Sequence, residues 1–225
     1  MELTLHKIML GLPLFQGVAK ADMEAITERA RLHFETLATG SKIACEGDRC
    51  TGFIILMDGT ISSEQKSQNG LFTFTEFHSA PFIIQPEMCF GLNQFFTRTF
   101  VACSDVKLIT ISKEDVLNKL LDIQVFRINL LNTISWNAQK AKRLLPRQTG
   151  STTKEKLIHL LLNFSEYPAG KKVLYGRMED IAEHIDETRL NLSNELNRLK
   201  KEGLVELHRM QVVIPALENL LTLKL

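Results

Sequence analysis

From Lys113 to Leu145 the chain has neither glycine nor proline, whereas the stretch before it is broken repeatedly by turn formers: Gly40, Gly47-Asp48, Asp58-Gly59, Asn69-Gly70, Pro81, Pro86 and Gly91. Short runs rich in Phe, Ile, Val and Thr fill the intervals between Arg31 and Ser112. Strands recurring about every eight to twelve residues indicate an antiparallel barrel or two-sheet roll. Asp-Gly and Asn-Gly are the strongest hairpin signals, because both central residues of a type I′ turn need positive φ. The hairpin expected between Ile61 and Phe77 alternates through Leu71-Phe72-Thr73-Phe74-Thr75-Glu76-Phe77. Ahead of the strands, Met23, Ile26 and Ala30 mark a short helix that Asp22 can cap.

Within the glycine-free stretch, Leu131, Ile134, Ala138, Ala141 and Leu145 are spaced 3, 4, 3 and 4 apart, the seam of two facing helices. Gln139, Lys140, Lys142 and Arg143 flank it. A single core-facing helix would also show such a seam. A helix of more than thirty residues exceeds what cover of a roll needs, and the two alanines allow close approach, so a parallel dimer helix is expected. Pro146-Arg147-Gln148-Thr149-Gly150 then reads as a hinge.

Thr152-x-x-Glu155 is a capping box, followed by Leu157, Ile158, Leu160, Leu161, Leu162 and Phe164. Two short helices come next. Met178, Ile181, Ala182 and Ile185 face inward from the first, and Leu192, Leu196 and Leu199 from the second, with Ile185-Asp186-Glu187-Thr188 as the turn and Gly203 as the stop. Leu204–Leu207 and Val212–Ile214 make a small hairpin around His208-Arg209-Met210-Gln211. That order is a winged helix-turn-helix. The fold class is therefore α+β: an antiparallel β-roll of double-stranded β-helix or jelly-roll type, a long dimerisation helix, and the winged helix-turn-helix. The expected divisions are an effector domain at 1–112, the dimer helix and hinge at 113–147, and a DNA-binding domain at 148–225.

On the second helix, Arg189, Leu190, Ser193, Asn194 and Asn197 face outward, with no acidic residue among them. Arg can read guanine bidentately, Asn can pair with an adenine edge, and Leu can pack on a thymine methyl. Arg189, Leu190, Ser193 and Asn194 are the candidate base readers. Thr188, Lys201, His208 and Arg209 are the candidate phosphate contacts. The formal charge of +1 excludes a generally basic nucleic-acid binder but not a local patch, and residues 151–225 balance 11 basic against 11 acidic residues.

In this order the motifs resemble the CRP/FNR family of transcription regulators, over nearly the whole chain. Pro13-Leu14-Phe15 with Asp22 and Ile26 resembles the family's helical entry. Gly40-x-x-Ile43-x-x-Glu46-Gly47-Asp48, Leu56-x-x-Gly59-x-Ile61 and Phe90-Gly91 resemble its roll turns and nucleotide cassette. Met178-Glu179-Asp180-Ile181-Ala182 with Thr188-Arg189 resembles its helix-turn-helix, Arg189 taking the principal guanine-reading position. The resemblance implies a cytoplasmic homodimer, a near-palindromic double-stranded DNA operator, and RNA polymerase as a partner. Leu190 and Asn194 replace the family's common Glu and Arg, so the operator should differ from the best-known one.

The cassette departs further. Leu92 stands where cyclic-AMP-binding members place a ribose-holding Glu, and Asn93–Val101 is shorter than in those members. Anchoring on Ala102 puts Phe96 near the phosphate-pairing Arg position, with Arg98 two residues away on the same strand face. The adenine-contacting positions fall on Ala141 and Lys142. The effector pocket would thus comprise Phe90, Gly91, Leu92, Phe96, Arg98, Ala138, Ala141 and Lys142. Losing a buried hydrogen-bond partner costs ~1–3 kcal/mol, so cyclic AMP is not expected. Residues 1–44 contain no Cys, so neither is the family's iron–sulfur cluster. The roll interior is expected to be rich in Phe (Phe53, Phe72, Phe74, Phe82, Phe90, Phe95, Phe96, Phe100), which suits an apolar ligand, a haem, or none. Haem ligands are available, but no spacing selects them.

Cys45, Cys50, Cys89 and Cys103 form no CxxC, and no His lies near another His, so no metal site is expected and the thiols should be reduced and structural. The C-x4-C of Cys45 and Cys50 is a weak signal for chelation or oxidation. A cupin-type enzyme would need His-x-His, which is absent; no enzyme activity is expected. The remaining alternative is an interaction module whose helix-turn-helix does not bind DNA. No apolar run approaches the ~20 residues of a membrane span. The run Ile8–Phe15 contains Pro13 and lacks a basic leader, so secretion is not expected.

Overall fold

The glycine and proline punctuation of residues 31–112 is realised as eight strands. A computed structural model describes residues 2–144 and 152–222; Leu145 and the expected hinge at 146–150 lie outside them. In chain order the elements are α1 (Glu2–Leu10), a 3-10 turn (Pro13–Phe15), α2 (Lys20–Arg29), β1 (Leu32–Leu37), β2 (Lys42–Ala44), β3 (Gly52–Asp58), β4 (Thr60–Lys66), β5 (Phe72–Ser79), β6 (Phe82–Ile84), a 3-10 turn (Pro86–Cys89), β7 (Thr99–Ala102) and β8 (Val106–Ser112). There follow α3 (Lys113–Asp115), a π-helical turn (Val116–Leu120), α4 (Gln124–Leu144), α5 (Thr153–Phe164), β9 (Lys172–Gly176), α6 (Met178–His184), α7 (Arg189–Lys201), β10 (Glu206–His208), β11 (Gln211–Ile214) and α8 (Leu217–Thr222). Two compact units emerge: residues 1–62 with 78–139, and residues 63–77 with 140–225.

The first unit is the roll. One antiparallel sheet runs β1-β8-β3-β6, and β2 pairs with β7, which borders β4. Inward residues of both sheets, among them Phe53, Ile55, Ile61, Phe100 and Ile109, share one core with Phe15, Met23 and Ile26 of the N-terminal turns and Phe126 of α4. Asn69-Gly70 closes the β4–β5 hairpin as expected, with Ser67 N–H donating to Phe72 O at 2.9 Å. Asp58-Gly59 does not close a hairpin. It carries the chain from one sheet to the other, since β3 lies between β8 and β6 in one sheet and β4 between β5 and β7 in the other. Gly59 has φ 93°, and a Cβ there would sit 2.5 Å from Asp105 O, so the corner requires glycine. Asp22 does not cap α2. The cap position is Ala19, and Asp22 lies in the first turn, where its charge favours the helix dipole.

The expected uninterrupted helix of more than thirty residues is instead broken before α4, which has 21 residues. Ser112 caps α3 by accepting from Asp115 N–H at 3.1 Å. Val116, Leu120 and Phe126 are all buried in the roll core. On a continuous α-helix Phe126 would point about 120° away from Leu120. The π turn and the break at Leu121–Ile123 bring all three inward instead. Lys119, then the Arg31 N–H, hold Asp115 and keep its carboxyl below the usual range despite desolvation.

In the second unit the capping box on α5 is formed, with Glu155 N–H donating to Thr152 Oγ1 at 3.2 Å. Leu157, Ile158, Leu160 and Leu161 are buried, and so are Leu192, Leu196 and Leu199 of α7. The expected two-stranded wing is wider, with order β10-β11-β9-β5. β5 pairs antiparallel with β9 through Phe72↔Gly176, Phe74↔Leu174 and Glu76↔Lys172. A Cβ at Gly176 would lie 2.6 Å from Phe72 Cβ, so the close pairing needs that glycine. Phe72 and Phe74 therefore belong to the core of this unit rather than to the roll, and Phe95 is half exposed. Phe53, Phe82, Phe96 and Phe100 do fill the roll, with Phe90 partly buried against it. At the end of the pairing, buried Lys172 and Glu76 form an ion pair. Glu76 also accepts from the N–H groups of Glu166 (2.8 Å) and Tyr167 (3.1 Å).

Candidate nucleic-acid interface

The start of α7 is fixed by Thr188, whose Oγ1 accepts from Asn191 N–H at 3.1 Å. With its three leucines inward, the helix leaves Arg189, Leu190 and Asn194 exposed and Ser193 partly so. Leu190 is 68% exposed, a large apolar side chain left in water. Lys201, His208 and Arg209 are exposed around the helix end and the wing turn, where Met210 takes φ 59°. Arg198 is not a free cation: it holds Glu195 at 2.6 Å and Glu202 at 2.8 Å.

Two features of this surface have no local signal in the sequence. First, α6 brings Glu179 to 2.8 Å from the Arg189 guanidinium. An open groove of about 490 Å³ beside it is lined by Glu179, Glu183, Asp186, Glu187, Thr188 and Arg189. The absence of acids from the outward face of α7 thus did not mean an acid-free neighbourhood. Second, Lys156 of α5 clasps the turn, pairing with Glu187 at 3.0 Å and donating to Asp186 O at 2.7 Å. Asn191, then Lys156, hold the Glu187 carboxyl below its usual range. Arg177 binds Asp180 through two bonds of 2.8 and 2.7 Å at the start of α6 and lowers its carboxyl pKa likewise.

In the roll, Phe90 stands edge-on to Phe53 at 6.4 Å, with Lys113 Nζ 5.4 Å over its ring. Gly91 has φ 88°. Leu92 is fully exposed, and Phe96 and Arg98 are buried. Phe96 packs edge-on to Phe100 at 6.5 Å. Ala138 is exposed; Ala141 and Lys142, also exposed, belong to the second unit. On α4 the seam residues Leu131 (58%) and Ile134 (36%) are exposed, as is Ile128 (47%).

A model of the cyclic nucleotide-binding domain matches residues 34–122, and one of the Crp-like helix-turn-helix domain matches residues 155–223. The catabolite activator protein of Thermus thermophilus is similar in structure, with TM-score 0.54 and 20% identity over 93% of this chain and 96% of that one. A CRP/FNR-family chain from Eubacterium rectale gives TM-score 0.53 and 21% identity over 95% and 98%. The sensor domain of the regulator DNR from Pseudomonas aeruginosa gives 0.52 and 16% over 66% and 98%. At these identities the likeness is one of fold. No match is found among the curated proteins. A roll of the nucleotide-binding type followed by a Crp-like helix-turn-helix defines a class of transcription regulators. The chain belongs to the CRP/FNR family. Among the described residues, no helix is long and apolar enough to cross a membrane.

Proposed function

We propose that the protein is a homodimeric, sequence-specific DNA-binding regulator acting in the cytoplasm, controlled by an effector other than cyclic AMP or by none. The observation that carries the reading is α7: a capped helix whose buried face is all leucine and whose outward face presents Arg189, paired in this structure with Glu179, with Leu190, Ser193 and Asn194 beside a short wing. Arg189 reads guanine, and Thr188, Lys201, His208 and Arg209 contact phosphates. The effector role belongs to residues 1–112, dimerisation to 113–147 and DNA binding to 148–225, with β5 lent to the last. The exposed Ile128, Leu131 and Ile134 support pairing through α4. RNA polymerase is the further partner. The full exposure of Leu92, where a ribose-holding acid would stand, supports an effector other than cyclic AMP.

A selection from random DNA tests this. The dimer should enrich a near-palindrome with half-site centres ~34 Å apart or a small multiple of that. Arg189→Ala should weaken binding by ~1–3 kcal/mol per half-site and relax one base pair, whereas Lys201→Ala or Arg209→Ala should weaken all sequences alike and reduce the salt slope by ~1. A single enriched half-site would refute the dimer. An unchanged motif with Arg189→Ala would pass the reading role to Leu190 or Asn194. The acidic groove and the Glu179 contact favour one second reading, a module that binds a basic protein segment; absence of any salt-dependent DNA binding would select it.

A further inference from the structure

Arg189 and Glu179 belong to different helices of the motif, and the contact between them engages one edge of the guanidinium. Arg189 is the first residue of α7, directly after the Thr188 cap, and Glu179 is the second of α6. Glu179 Oε1 lies 2.8 Å from Arg189 Nε, and the two side chains are 55% and 69% exposed. Of the acids lining the groove beside them, Glu187 is engaged by Lys156 and Asn191. Glu179 meets the candidate base reader instead.

An exposed ion pair adds little to stability, because water and salt screen it. The turn and the start of α6 are fastened by other pairs, Lys156 with Glu187 and Arg177 with Asp180. What the Glu179 contact changes is the set of directions open to Arg189. Arginine is a long side chain that loses rotamer freedom whenever its head is fixed. A carboxylate on Nε fixes it before DNA arrives, so less freedom is lost on binding. Nε carries one of the five N–H donors; the four on Nη1 and Nη2 suffice for guanine O6 and N7.

The sign of the charge works in the opposite direction. In a helix-turn-helix complex the first helix crosses the DNA backbone while the start of the second meets base edges. A carboxylate at the start of α6 would face phosphates and weaken binding to every sequence. Where a guanine occupies the Nη edge, water leaves the Arg–Glu contact and the attraction within it grows. A group that lowers affinity everywhere, and least at the matching base, raises specificity.

We propose that Glu179 is the specificity-determining partner of Arg189, a positioning residue that holds Nε so that the Nη edge serves one guanine in each half-site. The proposal rests on the reading of Arg189 as a guanine reader. Glu179 itself touches no base. It sets how strongly Arg189 distinguishes guanine from adenine, and it suppresses attachment to unrelated DNA.

Anisotropy titrations of the full chain test this on three duplexes. They are the operator selected from random DNA, the same operator with the Arg189-dependent G·C pair changed to A·T in both half-sites, and an unrelated sequence. Glu179→Gln keeps the shape of an exposed side chain and removes its charge. It should tighten binding to the unrelated duplex by about threefold. It should also cut discrimination between the two operators by about tenfold, part of what two bidentate contacts supply. Glu179→Asp keeps the charge but withdraws the carboxylate, so discrimination should fall while the unrelated duplex binds as before. In an Arg189→Ala chain, Glu179→Gln should leave discrimination unchanged, the coupling expected of a residue that acts through another. Discrimination as in the parent for Glu179→Gln, with Arg189→Ala still relaxing one base pair, would overturn this proposal and leave the Arg189 reading intact. A comparable fall in the Arg189→Ala chain would overturn the positioning role, since Glu179 would then act without Arg189. If Arg189→Ala changes no base preference, or the parent shows no salt-dependent DNA binding, the reading and this proposal fall together.

Discussion

The roll buries Phe53, Phe100, Ile109 and their neighbours among strands close in the sheet order, with Gln85, Arg98 and Asp115 buried as well. The helix-turn-helix unit closes its core around Phe72 and Phe74, supplied by a hairpin strand from far upstream, and ends that pairing on the buried Glu76–Lys172 ion pair. An apolar core can repack around substitutions that keep its volume. A core that ends on a buried charge pair has one register, because a one-residue slip would turn Phe72 and Phe74 outward and separate the charges. The second unit is thus held to its borrowed strand by complementarity as well as by volume.

Removing the large rings breaks this comparison most directly. Phe74→Ala and Phe100→Ala should each cost ~3–5 kcal/mol, as transfer loss plus cavity. The losses should fall in different places. Phe74→Ala should raise amide exchange along Leu192–Leu199, far from it in sequence, and Phe100→Ala along Phe53–Leu56. Exchange that rises in the roll for Phe74→Ala would mean that β5 is not part of the second core.

Lys172→Met sharpens the contrast, since it takes from the buried Glu76 the ammonium it pairs with. The expected loss is about 3 kcal/mol in urea unfolding, at the lower end for a broken buried pair, because Glu76 keeps the N–H donors of Glu166 and Tyr167. Glu76→Gln combined with Lys172→Met should recover part of it, the single amide oxygen accepting from one of the two N–H groups that Glu76 Oε2 and Oε1 hold separately. A single substitution that costs nothing measurable would show that volume alone holds this core.

These two cores also separate what was legible in the sequence from what was not. The period of Leu192, Leu196 and Leu199, the Thr188 cap, the Thr152–Glu155 box and the stop at Gly203 are local codes, and all are present. The alternation of Phe72, Thr73 and Phe74 says only that one face is buried. It does not say against what, and the strand rhythm around it points to the roll. Strand β9 begins with a buried lysine and ends in glycine, a pattern that reads as a loop until Glu76 stands opposite. Glu179 beside Arg189 and Lys156 at Asp186 join residues with no fixed spacing. Packing of the helices creates those contacts.

The smallest effect concerns His184, the last residue of α6, whose ring stands edge-on to Phe72 at 5.0 Å and to Phe164 at 5.9 Å. A helix C-terminus favours an imidazolium, yet desolvation against these rings dominates and lowers the pKa. An unfolded His titrates near about 6.5. Between that value and the lower folded one, the unfolded chain binds the proton more readily, so unfolding becomes easier as pH falls through the window. Above it His184 is neutral in both states and adds no pH dependence. Below the folded pKa its contribution is constant again. Urea midpoints measured from pH 7.5 down to 5.5 should therefore decline, and His184→Leu should remove part of that decline while leaving the roll's exchange rates as they were. Parallel slopes for the parent and His184→Leu would show that the rings around His184 do not discriminate between its charge states, and the borrowed strand would then add packing but no pH sensitivity to the second core.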